Sequence, residues 1–152
     1  MTIVNVAVNQ KSWKKKIKNP KKYLSSKINK ISKIIKFFKK KDIAFTIFLT
    51  NSLTMKKLNK KFRKHNKSTD VLSFPFYSLK NLKLIKNKKI YIGDIAISYE
   101  IINCRSKNGN FFVEFDKVWV HGLLHLLGYN HTKDKDYLKM YRFEKKILNF
   151  IK

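Results

Sequence analysis

Three of the four histidines in this chain lie within the eleven residues HGLLHLLGYNH, from His121 to His131. On an α-helix, His121 and His125 are one turn apart and share a face, so both imidazoles can approach one metal ion at about 2.0–2.1 Å. Gly128 follows three residues later, where a glycine can adopt the left-handed conformation that ends a helix. The chain can then turn back and present His131 as a third ligand. Three nitrogen ligands leave a fourth position open for water, which is typical of a catalytic zinc site.

The HxxxH pair alone is weak support for a metal site, because two histidines four residues apart also arise in ordinary helix packing. The glycine and the third histidine at these offsets favour the metal interpretation strongly. The apolar neighbours of the pair predict a buried helix from Asp116 to Leu127, which would hold the site rigid and partly dry. The spacing matches that of the metzincin proteases, whose general base is a glutamate after the first histidine. Gly122 stands at that position here, so peptide hydrolysis is disfavoured.

Four β-rich runs predict strands, at residues 2–8, 43–49, 71–76 and 90–98. Pro75 cannot donate a ladder hydrogen bond, so it marks the third strand as an edge strand or as a strand end. The strand–helix–strand order at the start of the chain favours parallel pairing of the first two strands. We therefore expect one α+β domain, residues 1–152, with a mixed four-stranded sheet packed against several helices. The metal site should lie on a buried helix and on the loop after it.

Helical periodicity fills most of the chain between these strands. Apolar positions predict an amphipathic helix from Pro20 to Phe38, and Ser52 can cap a second helix that reaches about Arg63. Further helices are expected after Ser98 and from Asp134 to the C-terminus. Two lysine-rich segments are interpreted as a polar connector and as a loop or hairpin arm, residues 11–19 and 77–89 respectively.

The chain carries 36 Lys+Arg against 9 Asp+Glu, a formal net charge of +27. Such a field attracts polyanions, and RNA or DNA is the first partner to consider. Lys, Asn, Ile and Phe are all abundant, however, so compositional drift in an A+T-rich genome explains part of the charge equally well. The only cysteine, Cys104, excludes an intrachain disulfide, and we expect it to be inert packing. The chain shows no signal-peptide pattern and no long apolar run, which predicts a cytoplasmic protein without a membrane partner.

Four motifs resemble, in order, those of the bacterial endoribonuclease and rRNA maturation factor YbeY family: FRK (62–64), STDVLSFPF (68–76), IGDIAIS (92–98) and HGLLHLLGYNH (121–131). The trailing Met140 and Glu144 also fit this family. The resemblance covers most of the chain from about the second strand onward, and it is weakest over the basic first forty residues.

This resemblance implies a single-strand-specific, metal-dependent endoribonuclease that trims ribosomal RNA, notably at the 3′ end of 16S rRNA, and takes part in ribosome quality control. His121, His125 and His131 match the family's zinc ligands, which implies one Zn²⁺ per chain. Arg63 matches the arginine implicated in activity, so Arg63 and His121 are the catalytic candidates. The implied partners are single-stranded ribosomal RNA, small-subunit ribosomal proteins and an Era-type GTPase.

Three residues depart from the family pattern: Asn130 replaces the usual Asp, Ser68 stands where Pro is common, and Lys64 stands where Gly is common. The change at Asn130 could weaken a contact that orients His131. None of the three departures replaces a predicted ligand, so we expect function to be retained.

Other polar residues have less specific interpretations. Asp70 and Asp94 could orient metal-bound histidines, but capping or turn roles are at least as plausible. His65 lies in a basic loop and is expected to be exposed rather than a ligand. Two other functions stay open: a zinc-stabilised ribosome-assembly factor without catalysis, and a metallohydrolase of another substrate class, such as a peptidase.

Overall fold

The structure is a computed structural model that describes every residue from Met1 to Lys152. It contains four strands: β1 (Thr2–Val8), β2 (Asp42–Thr50), β3 (Val71–Pro75) and β4 (Lys89–Ser98). The strands form one sheet in the order β1-β2-β4-β3. β2 pairs in parallel with both β1 and β4, whereas β3 runs antiparallel to β4 at the edge. The predicted mixed sheet is confirmed, with Pro75 at the end of an edge strand.

Eight helices accompany the sheet: α1 (Ser12–Lys16), α2 (Pro20–Ile31), α3 (Lys36–Lys40), α4 (Ser52–Arg63), α5 (Leu79–Leu84), α6 (Tyr99–Arg105), α7 (Phe111–Leu126) and α8 (Asp134–Ile151). The α+β class is therefore confirmed. No helix is both long enough and apolar enough to cross a membrane.

The two faces of the sheet are covered unequally, because successive residues of a strand point to opposite faces. Ile95 and Ile97 of β4 belong to the main hydrophobic core, which they share with residues of α2, α7 and α8. Ala96 lies between them and points to the other face. There it packs with Met55 of α4 and Leu72 of β3 in a small second core. The long helix α7 thus lies in the main core, and α4 lies across the sheet from it.

The helix predicted from Pro20 to Phe38 is interrupted. Helix α2 ends at Ile31, and α3 begins at Lys36 after a turn. Ile31, Ile35 and Phe38 are all buried, so the apolar spacing persists across the break although the helix does not. Periodicity reports which residues face the core and cannot by itself show that the backbone between them is continuous.

Two segments interpreted as irregular contain short helices. Within 11–19, α1 is anchored by Trp13, which is fully buried and donates from Nε1 to the carbonyl of Thr50 at 2.9 Å. Within 77–89, the hydroxyl of Ser78 accepts from the Asn81 backbone N–H and begins α5. Each helix is surrounded by lysines and has a single buried side chain, too few for a periodic pattern to reveal it.

Further boundaries and one burial prediction need correction. Helix α7 begins at Phe111 rather than at Asp116, because the side chain of Asn110 caps it. Asn51, not Ser52, caps α4. Cys104 is exposed, so the expectation that it packs in the interior is wrong.

Candidate metal centre

Helix α7 carries His121 and His125 on either side of a close contact with the sheet at Gly122. Between them, a Cβ atom on Gly122 would lie 2.8 Å from Cγ2 of Ile95 and 3.2 Å from Oγ of Ser73. The Ser73 hydroxyl also donates to the Gly122 carbonyl at 3.2 Å. Gly122 therefore lets the helix approach β3 and β4 closely. A glutamate here, as in the metzincin pattern, would push α7 away from the sheet.

The turn after α7 brings the third histidine to the other two. Helix α7 ends at Leu126, and Gly128 adopts a positive φ of 86°, which confirms its predicted role in ending the helix. The chain then reverses, and the ring of His131 lies 5.5 Å from that of His121 and 5.1 Å from that of His125, measured between centroids. One nitrogen of each ring lies within 4.8 Å of the others. The structure thus brings the three predicted ligands together.

Hydrogen bonds on the outer side of two rings fix which nitrogen of each faces inward. Nδ1 of His121 lies 3.0 Å from Oε2 of Glu144, and Nδ1 of His125 lies 3.0 Å from the carbonyl of Tyr129. Both partners only accept, so these contacts assign the proton of each neutral ring to Nδ1. Each Nε2 is then left with a lone pair directed toward the other histidines.

The two Nε2 atoms of His121 and His125 are only 3.1 Å apart. Two lone pairs cannot hydrogen-bond to each other, so with both rings neutral and protonated on Nδ1 the contact becomes favourable when a cation lies between them. Two ligands of a tetrahedral metal at 2.0–2.1 Å are separated by about 3.3 Å, which is close to the observed spacing. The donor set fits a metal such as zinc, for which imidazole nitrogen is a preferred ligand.

The electrostatics of the site keep His125, one of the predicted ligands, neutral. Burial lowers the pKa of His125 to about 4, and repulsion by His121 whenever that ring is protonated acts in the same direction. His125 is therefore neutral at pH 7, and its Nε2 can bind a metal without losing a proton. The side chain of His121 is 31% exposed, and His131 is exposed, so a substrate can reach the site from solvent.

Arg63, the last residue of α4, lies at the border of the histidine cluster. Its Nη2 donates to the carbonyl of Ser73 at 2.9 Å. Its positive charge is one of the causes that lower the pKa of His125. A guanidinium has five N–H donors, so most of them stay available to a ligand. Arg63 lies close enough to His125 for its charge to act on that ring.

The profile of the family described as Endoribonuclease YbeY matches residues 7–152 of this chain. The chain belongs to this family. An endoribonuclease YbeY from Pelagibacter ubique is 48% identical over 144 residues, which are 92% of this chain and 90% of the relative. The endoribonuclease YbeY of Ehrlichia canis is 32% identical over 97% of this chain and 92% of its own.

A solved structure supports the same YbeY fold. The solution structure of a Thermotoga maritima protein aligns with a TM-score of 0.62 and 28% sequence identity. The alignment covers 99% of this chain and 89% of that chain. The resemblance to YbeY proteins seen in the sequence motifs therefore extends to the fold of the whole chain.

The three departures from the YbeY pattern replace none of the clustered histidines. Lys64 ends α4 with φ 63°, a left-handed conformation that glycine adopts at lower cost. Oγ of Ser68 is buried without a hydrogen-bond partner. Asn130 is exposed, and its side-chain oxygen lies 3.4 Å from Oγ1 of Thr132. All three residues are in loops or helix ends, where backbone changes are tolerated.

The contact between Glu144 and His121, one of the predicted ligands, is not predicted from the sequence. Glu144 lies on α8, 23 residues beyond His121, so only the packing of α8 on α7 reveals this contact. The two acids considered for this role have other partners. Asp70 accepts from Arg105 and from the Val71 backbone, and Asp94 accepts from the hydroxyl of Tyr91.

His65, the fourth histidine, follows α4 and is exposed, as predicted. It is not among the grouped metal-ligating side chains. Because it shares its residue type with the cluster but lies outside it, His65 is a natural control position.

Proposed function

We propose that this chain is a metal-dependent endoribonuclease that cleaves single-stranded RNA during rRNA maturation, including processing at the 3′ end of 16S rRNA. The name of its YbeY relatives supports the reaction class. The observation that carries the proposal for this chain is the group of three histidines, one nitrogen of each within 4.8 Å of the others, with the Nε2 atoms of His121 and His125 3.1 Å apart. Residues 1–152 would act as one catalytic domain.

His121, His125 and His131 would hold one Zn²⁺ per chain through their inward-facing nitrogens. When bound, zinc would supply Lewis acidity and lower the pKa of water that it binds to about 7. Glu144 would keep the ring of His121 in place by accepting from its Nδ1, and the carbonyl of Tyr129 would do the same for His125. Of the two catalytic candidates, His121 would therefore act as a ligand.

Arg63 would bind the scissile phosphate. Its bond to Ser73 fixes the guanidinium, and its other N–H groups would donate to the phosphate oxygens, on which negative charge builds as the phosphodiester breaks. A lysine could supply the same charge but not the planar, two-pronged geometry. Arg63 is thus expected to affect turnover more than affinity.

The structure offers little support for peptide hydrolysis as the alternative. The backbone carbonyl of Asp70 and the backbone N–H of Phe76 hydrogen-bond to β4. Because hydrogen bonding alternates along an antiparallel strand, the backbone groups of Val71, Ser73 and Pro75 point away from β4. Arg63 covers the Ser73 carbonyl, and Pro75 has no N–H. Two of the backbone positions that an extended peptide would use at this edge are therefore not available for pairing.

The finer biological setting is also part of the proposal. Single-stranded ribosomal RNA would be the substrate, and the charge of +27 favours its capture. Small-subunit ribosomal proteins and an Era-type GTPase would be partners in the cytoplasm, where ribosomes mature. Mapping rRNA termini in cells depleted of the protein would show accumulated 3′-extended 16S precursors if this setting is right.

The direct test is cleavage of a single-stranded RNA by highly purified chain loaded with zinc. We expect cleavage by the wild-type chain and by the control His65→Ala. We expect no cleavage above background by His121→Ala with its fold intact, checked by circular dichroism. Equal cleavage by His121→Ala would assign the activity to a contaminant or to another site. It would then favour the non-catalytic assembly factor.

A further inference from the structure

A second concave site lies beside the metal centre. A cavity of about 580 Å³ opens between the turn at residues 127–130, helix α5, the segment that joins α2 to α3, and helix α8. Its volume is in the range of sites for small ligands, about 300–1,000 Å³. None of the three clustered histidines lines it, so it is distinct from the metal centre.

The walls of this cavity present aromatic rings. Phe37, Tyr129 and Phe143 line it, and each is only half-buried. The rings of Tyr129 and Phe143 lie 5.4 Å apart between centroids, with their planes inclined by 33°. Half-exposed aromatic faces of this kind favour a planar ligand that can stack on them.

The rim of the cavity is cationic. Lys36, Lys83, Lys139 and Lys146 line it, against a single acid, Asp136. The four lysines are exposed, and Nζ of Lys139 lies 5.9 Å from the centroid of the Tyr129 ring. An apolar ligand would not pair with the lysines, and a simple anion would not stack on the aromatic rings. A planar group joined to a phosphate can do both.

We propose that this cavity binds one nucleotide of the RNA strand that passes through the metal centre, with its base on the aromatic wall and its phosphate at the lysines. The turn at residues 127–130 lies between the two sites and contributes residues to both. The carbonyl of Tyr129 holds His125, and Asn130, which lines the cavity, precedes His131. This inference rests on the proposed function, since the cavity would bind a nucleotide of the same RNA that is cleaved at the metal centre.

The first test uses NMR to measure the binding of a single nucleotide to the metal-free full-length chain, so that neither cleavage nor metal binding contributes. Adenosine 5′-monophosphate should shift the backbone amide signals of Leu82, Tyr129 and Phe143. Adenosine and ribose 5-phosphate, which each lack one half of the ligand, should bind at least about tenfold more weakly. No shifts at these residues, or equal binding of ribose 5-phosphate, would overturn the proposal.

The second test uses charge reversal with a matched control. Lys83→Glu combined with Lys146→Glu should weaken binding of adenosine 5′-monophosphate about tenfold. Lys14→Glu combined with Lys15→Glu changes the net charge equally on α1. That helix packs through Trp13 on Phe111 at the far end of α7, about 15 Å along the helix from His121 and about 21 Å from His125. Equal weakening by both pairs would show a general charge effect and contradict a built site.

The two proposals fail in different ways. Nucleotide binding in the cavity without RNA cleavage by the zinc-loaded chain would contradict the proposed function and leave the cavity assignment intact. Cleavage of RNA by a chain that binds no nucleotide in the cavity would do the reverse. If the cavity binds a protein segment and not a nucleotide, adenosine 5′-monophosphate will leave the amide signals of Leu82, Tyr129 and Phe143 unshifted. That result would also overturn the assignment.

Discussion

Helix α7 carries two clusters of polar side chains, and they differ in how completely their hydrogen bonds are satisfied. Near its start, Asp116 accepts from the hydroxyl of Tyr23 at 2.9 Å, from Nζ of Lys27 at 2.6 Å and from Nε1 of Trp119 at 2.8 Å. Near its end, two histidines have partners on their outer nitrogens only.

The difference distinguishes a structural polar cluster from one built for a ligand. Asp116 is 8% exposed, and the three donors around it all have an acceptor. This cluster therefore needs no ligand to complete its hydrogen bonds. The histidine cluster instead brings one nitrogen of each of three rings within 4.8 Å of the others, and the outer nitrogens of two of these rings already have acceptors. We therefore expect substitutions at the first cluster to change stability and substitutions at the second to change metal binding and catalysis.

The largest expected effect is on stability, from Asp116→Ala. Removal of the carboxylate leaves Lys27 charged and mostly buried, and should lower the free energy of unfolding by about 3–5 kcal/mol. Urea unfolding of the metal-free chain measures this. The control Glu114→Ala, which breaks a partly exposed pair with Lys117 on the same helix, should cost less than about 1 kcal/mol. Weakened zinc binding by folded Asp116→Ala would show that the clusters are coupled.

Arg63→Lys should lower turnover on a single-stranded RNA by about 100-fold, because the planar donors to the phosphate are lost. The dissociation constant for the same RNA should change only slightly, since the charge is kept. Steady-state kinetics and binding under non-cleaving conditions separate the two quantities. Arg142→Lys, an exposed arginine on α8, is the matched control. Unchanged turnover would mean that Arg63 supplies only charge.

Glu144→Gln should weaken zinc binding by about 10- to 100-fold, because the ring of His121 loses its anionic acceptor. Competition with a chromophoric chelator measures this affinity. Asp134→Asn, an exposed acid in the first turn of the same helix, should leave the affinity unchanged. If both variants bind zinc as the wild-type chain does, the contact of Glu144 with His121 does not position the ligand.

The smallest effect concerns pH. Burial lowers the pKa of His125 from 6.5 to about 4, so between these values the unfolded chain binds more protons than the folded chain. Stability of the metal-free protein should therefore fall as the pH drops from 6.5 to 4, by about 1 kcal/mol for a half-exposed group. Urea unfolding of His125→Gln should show a correspondingly shallower loss. Identical pH profiles of the two chains would contradict the burial of a neutral His125.

The sequence predicts the histidine cluster well because its three histidines are close together along the chain. The offsets of His121, His125, Gly128 and His131 follow from one helix and one turn, both of which local geometry dictates. The four strands are equally local patterns, and their bounds differ from the predicted ones by at most one residue.

The rest depends on packing between distant segments. Glu144 reaches His121 only because α8 packs on α7, and no spacing rule predicts such a contact. The helix around Trp13 exists because one indole fills the core and donates to Thr50, while its neighbours are lysines. The break between Ile31 and Lys36 leaves the apolar spacing unchanged, so periodicity could not detect it.

The most direct test of the metal centre is a calorimetric titration of Zn²⁺ into the metal-free chain. We predict one tightly bound ion per wild-type chain and per His65→Ala chain, and strongly weakened binding after His121→Ala, His125→Ala or His131→Ala. No binding by the wild-type chain, or undiminished binding by these three variants, would contradict the assignment of the histidine cluster as a metal site.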